Sequence, residues 1–516
     1  MASQRVSAWR WARRISQGFF LVLFLVLFRL TDYSGVDEIP YAVNIFFRLD
    51  PLVAASAILA SRVVITLVWY SLIVVALTLL LGRVFCGWFC PLGTLIDLSH
   101  KIVPPRKEAR PNRFRSWKYL LLGFILLTAL LGLPVVGYFD PFSILVRGLA
   151  VSVDPFFNRI ITSPFDFLYR YGPSWISAVS EPIYGLVKKT LLPYQQKVFT
   201  LSLASLLILL AVFALERLGR RFWCRNLCPL GGLLALLSRF SWLRGRHDET
   251  ACTQCGLCAK VCRLGAVDAD RRIAPGDCNL CLDCQDLCPE QIIGFSFRKP
   301  ATPQPELGIS RRAFAGMLAA GLVLPAYSQI GAQTRLVNPE LIRPPGSLEE
   351  KRFLDRCVRC GECLKVCPLN ALHPIGLESG WGGIFTPRLI PRIGYCEFNC
   401  TLCGQVCPTG AIEQLDLPRK QKTVIGLAHF DKNRCLPFAR GVPCIVCEEH
   451  CPTPDKAIKF REQEVFDQNG RPVLMKQPYV VDRLCIGCGI CENKCPLEGK
   501  AAVLVTRGSE GVMDYR

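Results

Sequence analysis

The sequence predicts a two-part protein: a membrane α-helical bundle of four spans with a candidate fifth, followed by small α+β domains organised around cysteine. Three observations carry this expectation. Hydrophobic residues make up 51% of the 516 and concentrate in the first 330 positions, in runs that approach the ~20 residues needed to cross a bilayer core. All 28 cysteines fall into ordered groups with short, repeated spacings. The basic residues behind the net charge of +20 cluster beside the apolar runs. They form no stripe interleaved with aromatic residues, which argues against nucleic-acid binding.

The spans are expected at 15–29, 62–82, 117–137 and 198–216, the first being short unless it extends upstream. Arg5, Arg10, Arg13 and Arg14 precede the first span. Lys101, Arg106, Lys107, Arg110, Arg113, Arg115 and Lys118 lie between the second and third, and Arg217, Arg220, Arg221, Arg225, Arg239, Arg244 and Arg246 follow the fourth. All three groups fall on one side of such a bundle, which the positive-inside bias makes the cytoplasm. Residues 1–245 therefore read as the membrane unit.

That unit contains an internal repeat. Asp50-Pro51 opens an apolar helix, followed by a span and Cys86-Gly-Trp-Phe-Cys90-Pro91-Leu92-Gly93. Asp140-Pro141 opens another, followed by a longer insert, a span and Cys224-Arg-Asn-Leu-Cys228-Pro229-Leu230-Gly231. Two such halves running in the same direction relate by an axis along the membrane normal. Their packing can bring Cys86, Cys90, Cys224 and Cys228 together to hold one further cluster or a redox metal; the alternative is a set of thiols that brace the helix ends. The five histidines all lie outside the spans and no C-x-x-C-H occurs, so no haem site is expected in this chain.

The other 24 cysteines form six quartets. The spacing C-x2-C-x2-C-x3-C is the ferredoxin run that wraps a [4Fe–4S] cluster. Four-cysteine zinc sites pair two distant C-x2-C knuckles instead, and spacings of two and three residues do not suit a disulfide scaffold. Residues 246–300 are expected to form a 2[4Fe–4S] ferredoxin-like domain in which each fourth cysteine serves the other cluster. One set is then Cys252, Cys255, Cys258 and Cys288, and the other Cys278, Cys281, Cys284 and Cys262.

Residues 301–332 form a linker that contains Ser310-Arg311-Arg312-Ala313-Phe314 and an apolar stretch. This reads either as a basic flank on a short fifth helix or as an internal twin-arginine signal, which exports folded, cofactor-loaded domains. Residues 333–516 are expected to be a periplasmic domain with four clusters. Their ligands are Cys357/Cys360/Cys363/Cys367, Cys396/Cys400/Cys403/Cys407, Cys435/Cys444/Cys447/Cys451 and Cys485/Cys488/Cys491/Cys495. The wide intervals between these runs suggest nested pairing, first run with fourth and second with third.

Residues 1–300 resemble the NapH-type membrane ferredoxins through the paired C-x3-C-P-L-G motifs and the two-cluster domain. Residues 308–516 resemble the NapG/MauM-type periplasmic polyferredoxins through Ser310–Phe314, Thr386–Arg392, Val406–Ile412 and the run from Cys485 to Pro496. The resemblance implies a fused quinol dehydrogenase of the bacterial inner membrane, with its N-terminus and first ferredoxin domain cytoplasmic. Electrons would pass from the membrane quinone pool to a periplasmic cytochrome c or molybdoenzyme reductase, of which nitrate reductase is the familiar case. Whether the chain is itself an enzyme depends on whether quinol is oxidised here. Asp50 and Asp140 are then candidate proton acceptors, with His100 a weaker one; the plainer reading makes both aspartates helix N-caps before a first-turn proline. Two other functions fit the residues: a maturation or redox-reactivation factor for a periplasmic metalloenzyme, and a transmembrane relay that does not oxidise quinol.

Overall fold

The computed structural model describes residues 8–100, 102, 104, 114–190, 192–268, 271–298, 307–334, 338–466 and 471–507. Arg5, Lys101, Arg106, Lys107, Arg110, Arg113 and residues 301–306 of the linker lie outside the described residues. The N-terminal arginine-led apolar run forms α1 (Ala8–Leu30). The first repeat follows as α2 (Pro51–Ser61), α3 (Ser71–Leu81) and α4 (Pro91–Ser99). Next come α5 (Trp117–Leu130) and the second repeat, α6 (Pro141–Gly148), α7 (Ser202–Ala214) and α8 (Pro229–Ser238). The insert of the second repeat is helical over Asp154–Tyr171 and Ser174–Thr190.

The two halves correspond in detail. Asp50 caps α2 and Asp140 caps α6, each with proline at the first helical position. A single π-helical turn, Phe85–Phe89 or Trp223–Leu227, then carries the first cysteine of each pair, and the second cysteine caps α4 or α8.

The expected spans are only partly continuous. Among the described residues, α1 alone is long and apolar enough to cross a membrane. The 62–82 run breaks at Arg62, which is left-handed at φ 53° and closes α2, and at the 3₁₀ turn Thr66–Val68. The 117–137 run stops as helix before Gly132 at φ 78°, and the 198–216 run becomes helical only after Leu201 at φ 58°. With 14 residues, α5 reaches about 21 Å, against ~30 Å of hydrocarbon.

The strands form separate antiparallel pairs. The first module is closed by β1 (Leu243–His247) against β2 (Ile293–Phe297), in register from Leu243↔Phe297 to His247↔Ile293. Helix α9 (Arg311–Thr334) runs beside α5, with Gly123 facing Met317 and Gly321 facing Leu127. Beyond it, β3 (Leu372–Pro374) pairs with β4 (Pro387–Leu389), and β5 (Leu427–Phe430) pairs with the last strand, β8 (Val503–Thr506). Between those two lies the hairpin β6 (Ile458–Phe466) and β7 (Pro472–Val480).

The first module docks on the cysteine-bearing end of the helical unit. Trp88 Nε1 donates to Leu280 O at 3.0 Å, Arg13 to Cys281 O at 2.6 Å and Arg83 to Gly276 O at 3.2 Å. A side chain on Gly87 would fall 2.2 Å from Asn279 O, so only glycine allows this approach. The C-terminal module docks elsewhere, where Ser143 Oγ donates to Val358 O at 3.2 Å and Arg147 to Arg359 O at 3.0 Å. Gly137 there meets Val358 O as Gly87 meets Asn279 O. One hydrophobic core runs between the two docking regions, from Cys228, Leu230 and Phe85 through Phe142 and Val136 to Val358 and Cys360.

Candidate iron–sulfur sites

In the four regular ferredoxin runs the first two cysteines lie on a tight loop and the third on the helical turn that follows, Leu257–Val261, Asp283–Leu287, Glu362–Val366 or Ile490–Lys494. The fourth cysteine leaves that turn in extended conformation and so points to a neighbouring set. Cys252, Cys255 and Cys258 share a cavity with Cys288; Cys278, Cys281 and Cys284 share one with Cys262.

In the C-terminal module the pairing differs from the nested expectation. Cys357, Cys360 and Cys363 gather with Cys407, and Cys396, Cys400 and Cys403 with Cys367. Cys435, Cys444 and Cys447 gather with Cys495, and Cys485, Cys488 and Cys491 with Cys451. The first run therefore pairs with the second and the third with the fourth. The wide intervals misled because their residues form elements that leave the runs adjacent. The bridge between Ser347 and Ile412 brackets the first two runs, and the β5–β8 ladder brackets the last two.

Among the described residues, no three Cys, His, Asp or Glu side chains converge closely enough to hold a single metal ion. Five of the cysteine sets each line a small shared cavity. The fourth cysteine of five runs also accepts a backbone amide: Ala266 to Cys262 at 3.1 Å, Ala371 to Cys367 at 3.3 Å, and Ile412, Ala457 and Ala502 to Cys407, Cys451 and Cys495 at 3.4 Å. Such bonds favour thiolate sulfur and tune a cluster it holds. The donor set fits [4Fe–4S] groups.

The two C-x3-C-P pairs come together as a cage. Cys86, Cys90, Cys224 and Cys228 are mutual electrostatic neighbours, and Cys228 is buried. Three cations that motif spacing does not reveal surround them. Arg221 of the second repeat reaches into the first, donating to Cys86 O and Gly93 O, both at 3.2 Å. Arg83 of the first repeat lies against Gly231 of the second and 3.9 Å from Cys86 Sγ. Lys118 on α5 sits within electrostatic reach of Cys86 and Cys228. All three are at most 1% exposed; Arg221 pairs with Asp97 and Lys118 with Asp277, as buried cations require.

Asp50 and Asp140 are fully buried, and each caps its helix through one oxygen only. His100 is not with them. It sits 3.7 Å from Glu216 at the cage end, near Arg220 and Asp97. Glu362, between two cysteines of its run, is completely buried with neither oxygen partnered, and burial pushes its carboxyl up to about 8 against the pull of Lys365.

Several arginines of the cytoplasmic-side reading also make specific pairs with the first module. Arg10 meets Asp286 at 2.8 Å and Arg13 meets Asp283 at 3.1 Å. Arg263 of the module and Arg221 of the helical unit converge on Asp97, at 2.7 and 2.8 Å. Burial would raise the Asp97 carboxyl, but Arg221 and then Arg263 hold it well below the usual range. Its contribution to docking is therefore complete above the unfolded value near pH ~4 and fades only as pH falls through the lowered folded value. In an acid titration of thermal stability, Asp97→Asn should lower the plateau above pH ~4 and flatten the loss below it; curves parallel to the parent would contradict the assignment.

Comparison with known proteins agrees with this geometry. Residues 64–110 and 198–247 match the model of a 4Fe-4S binding domain, and 356–411 match a 4Fe-4S dicluster domain. The first two segments contain the cage cysteines, and the third spans the two runs that share ligands. Fold and sites thus define an iron–sulfur, ferredoxin-type electron-transfer protein.

The chain belongs to the NapG/MauM family of ferredoxin-type proteins. It is 37% identical over 191 residues to the methylamine utilization ferredoxin-type protein MauM of Methylorubrum extorquens, covering 36% of this chain and 80% of the relative. It is 35% identical over 192 residues to the ferredoxin-type protein NapG of Escherichia coli, covering 37% and 79%. MauM of Paracoccus denitrificans is 33% identical over 214 residues, covering 40% and 88%. No solved structure matches the chain.

Proposed function

We propose that this protein is a membrane-bound quinol dehydrogenase, a NapH-type unit fused to a NapG/MauM-type polyferredoxin, which delivers electrons to a periplasmic reductase. The observation that carries the reading is the placement of the cage. The first ferredoxin module docks on it through Trp88, Arg13 and Arg83, and the core that begins at Cys228 ends at Cys360 in the C-terminal module. Cysteine sets thus follow one another along the whole molecule.

In this reading six quartets hold [4Fe–4S] clusters and the cage holds a seventh. When bound, each such group accepts and releases one electron at a time. The chain's own residues supply thiolates, amide donors to sulfur, and the buried cations Arg83, Arg221 and Lys118 that offset negative charge at the cage.

The helical unit lies in the bacterial inner membrane, with α9 packed beside α5 through the small-residue contacts at Gly123 and Gly321. The Arg311-Arg312 pair heads that helix as an export signal. This puts the first module in the cytoplasm and the C-terminal module in the periplasm, where a cytochrome c or molybdoenzyme is the partner. The assay is direct: purified full-length protein is mixed with a reduced quinol analogue and followed by EPR. Reduced-cluster signals are expected; if no cluster becomes reduced and no quinone binds, the dehydrogenase reading fails.

A further inference from the structure

Capping explains only half of each buried aspartate. Asp50 Oδ1 accepts the Leu52 and Val53 amides at 2.7 and 3.2 Å, and Asp140 Oδ2 accepts the Ser143 amide at 2.7 Å. The other oxygens, Asp50 Oδ2 and Asp140 Oδ1, are buried without a partner. Both residues are 0% exposed, and their side chains lie within hydrogen-bonding reach of each other. Two ionised carboxylates cannot both stand in such a place, whereas one proton between them satisfies both orphaned oxygens at once.

Among the described residues no ion pair reaches either carboxylate. Arg147 on α6 lies within electrostatic reach, but it donates to Gly137 O and Arg359 O. Arg359, from the C-terminal module, donates to Pro134 O, Cys357 O and Gly382 O.

The surroundings give the pair a place in the redox chain. Phe142, two residues after Asp140, contacts Phe85 at 6.1 Å and Phe47 at 6.2 Å between ring centroids. Phe85 precedes Cys86 of the cage. On the other side Ser143, whose amide binds Asp140, donates its hydroxyl to Val358 O, two residues before Cys360. The carboxyl pair therefore stands between the cage and the first cysteine set of the C-terminal module.

We propose that Asp50 and Asp140 form a proton-binding site that holds one shared proton at neutral pH and takes up a second when a neighbouring cysteine set gains an electron. The second half rests on the cluster reading given above. An electron arriving on either side adds one negative charge. One proton from water then enters the pair, taking it from one bound proton to two, and leaves when the electron moves on. The device offsets charge in a region with little water to do so.

Infrared spectroscopy of the full-length protein tests each half. In the oxidised protein at pH 7, the spectrum of the parent minus that of Asp50→Asn should contain a carboxylic-acid C=O band that shifts in D2O. Asp140→Asn should remove the same band, with iron per chain unchanged in both variants as the check on folding. Absence of the band, or its survival in either variant, overturns the shared proton. On reduction by dithionite the band should change in step with the cluster EPR signals. A band that stays fixed while those signals appear overturns the coupling. If no EPR signal appears, the cluster reading and the coupling built on it fail together, and the static band still decides the shared proton.

Discussion

Serine in place of Cys224 is expected to remove one cluster, lowering iron from about 28 to about 24 atoms per chain, and to stop electron flow from quinol to the C-terminal cysteine sets. Cys224 lies on a π-helical turn with Cys86, Cys90 and Cys228 as its neighbours, and Arg221 and Glu216 lie in electrostatic reach. Serine fits the same space and keeps the turn, so a loss of iron reports on ligation and not on packing. The six ferredoxin quartets should keep their EPR signals under chemical reduction. Because the cage lies between the two docked modules, losing it interrupts the sequence of sites even though every other set is intact. Equal iron content in parent and variant, with quinol-driven reduction retained, would return these cysteines to a bracing role.

Lys365→Met is expected to weaken docking of the C-terminal module by roughly 1.5–3 kcal/mol, the range for losing a hydrogen bond to a charged group, because Lys197 and Arg29 still pair with Asp32. Lys365 Nζ binds Asp32 Oδ2 at 2.7 Å and Asp154 Oδ2 at 3.2 Å, and lies 3.9 Å from the centroid of the Phe28 ring. Lys197 approaches the other Asp32 oxygen at 3.2 Å. Lysine and its Asp32 partner are nearly inaccessible, so solvent cannot replace the lost charge. Methionine keeps most of the volume and isolates the electrostatic effect. Asp32→Asn added to Lys365→Met should deepen the loss, because it leaves the buried Lys197 without its carboxylate. Limited proteolysis at the junction near residue 338 and thermal melting read the change. A melting curve identical to the parent's would mean that apolar contacts alone hold the module.

Local pattern made a good deal of this visible beforehand. Asp-Pro followed by an apolar helix, and C-x3-C-P-L-G after an apolar run, are short signals whose physical cause lies in adjacent residues: caps, first-turn prolines, a tight turn. The ferredoxin runs are legible for the same reason. What sequence could not reveal depends on contacts far apart in the chain. The 62–82 run holds a single arginine, at its first position, yet the chain is left-handed there and turns at Thr66–Val68 before α3 begins. Run spacing suggested nested pairing in the C-terminal module, while the choice was made by β5 meeting β8 across the intervening hairpin. Arg10 and Arg13 read as markers of topology, and side-chain geometry gives them acidic partners in the first module. Lys365 lies inside a cysteine run, where nothing local distinguishes a buried clamp from a solvated lysine.

The exchange of arginines across the cage bears on how the protein is made. Arg221 holds backbone of the first repeat 135 positions earlier at Cys86, and Arg83 lies against Gly231 of the second. Neither cysteine pair is finished by its own half of the chain. During translation Cys86 and Cys90 therefore wait, without their arginine, until the second repeat has emerged and packed. Loading of this centre becomes a late step in biogenesis, and a chain truncated before Arg221 should be left with two bare thiols and no place to keep a metal.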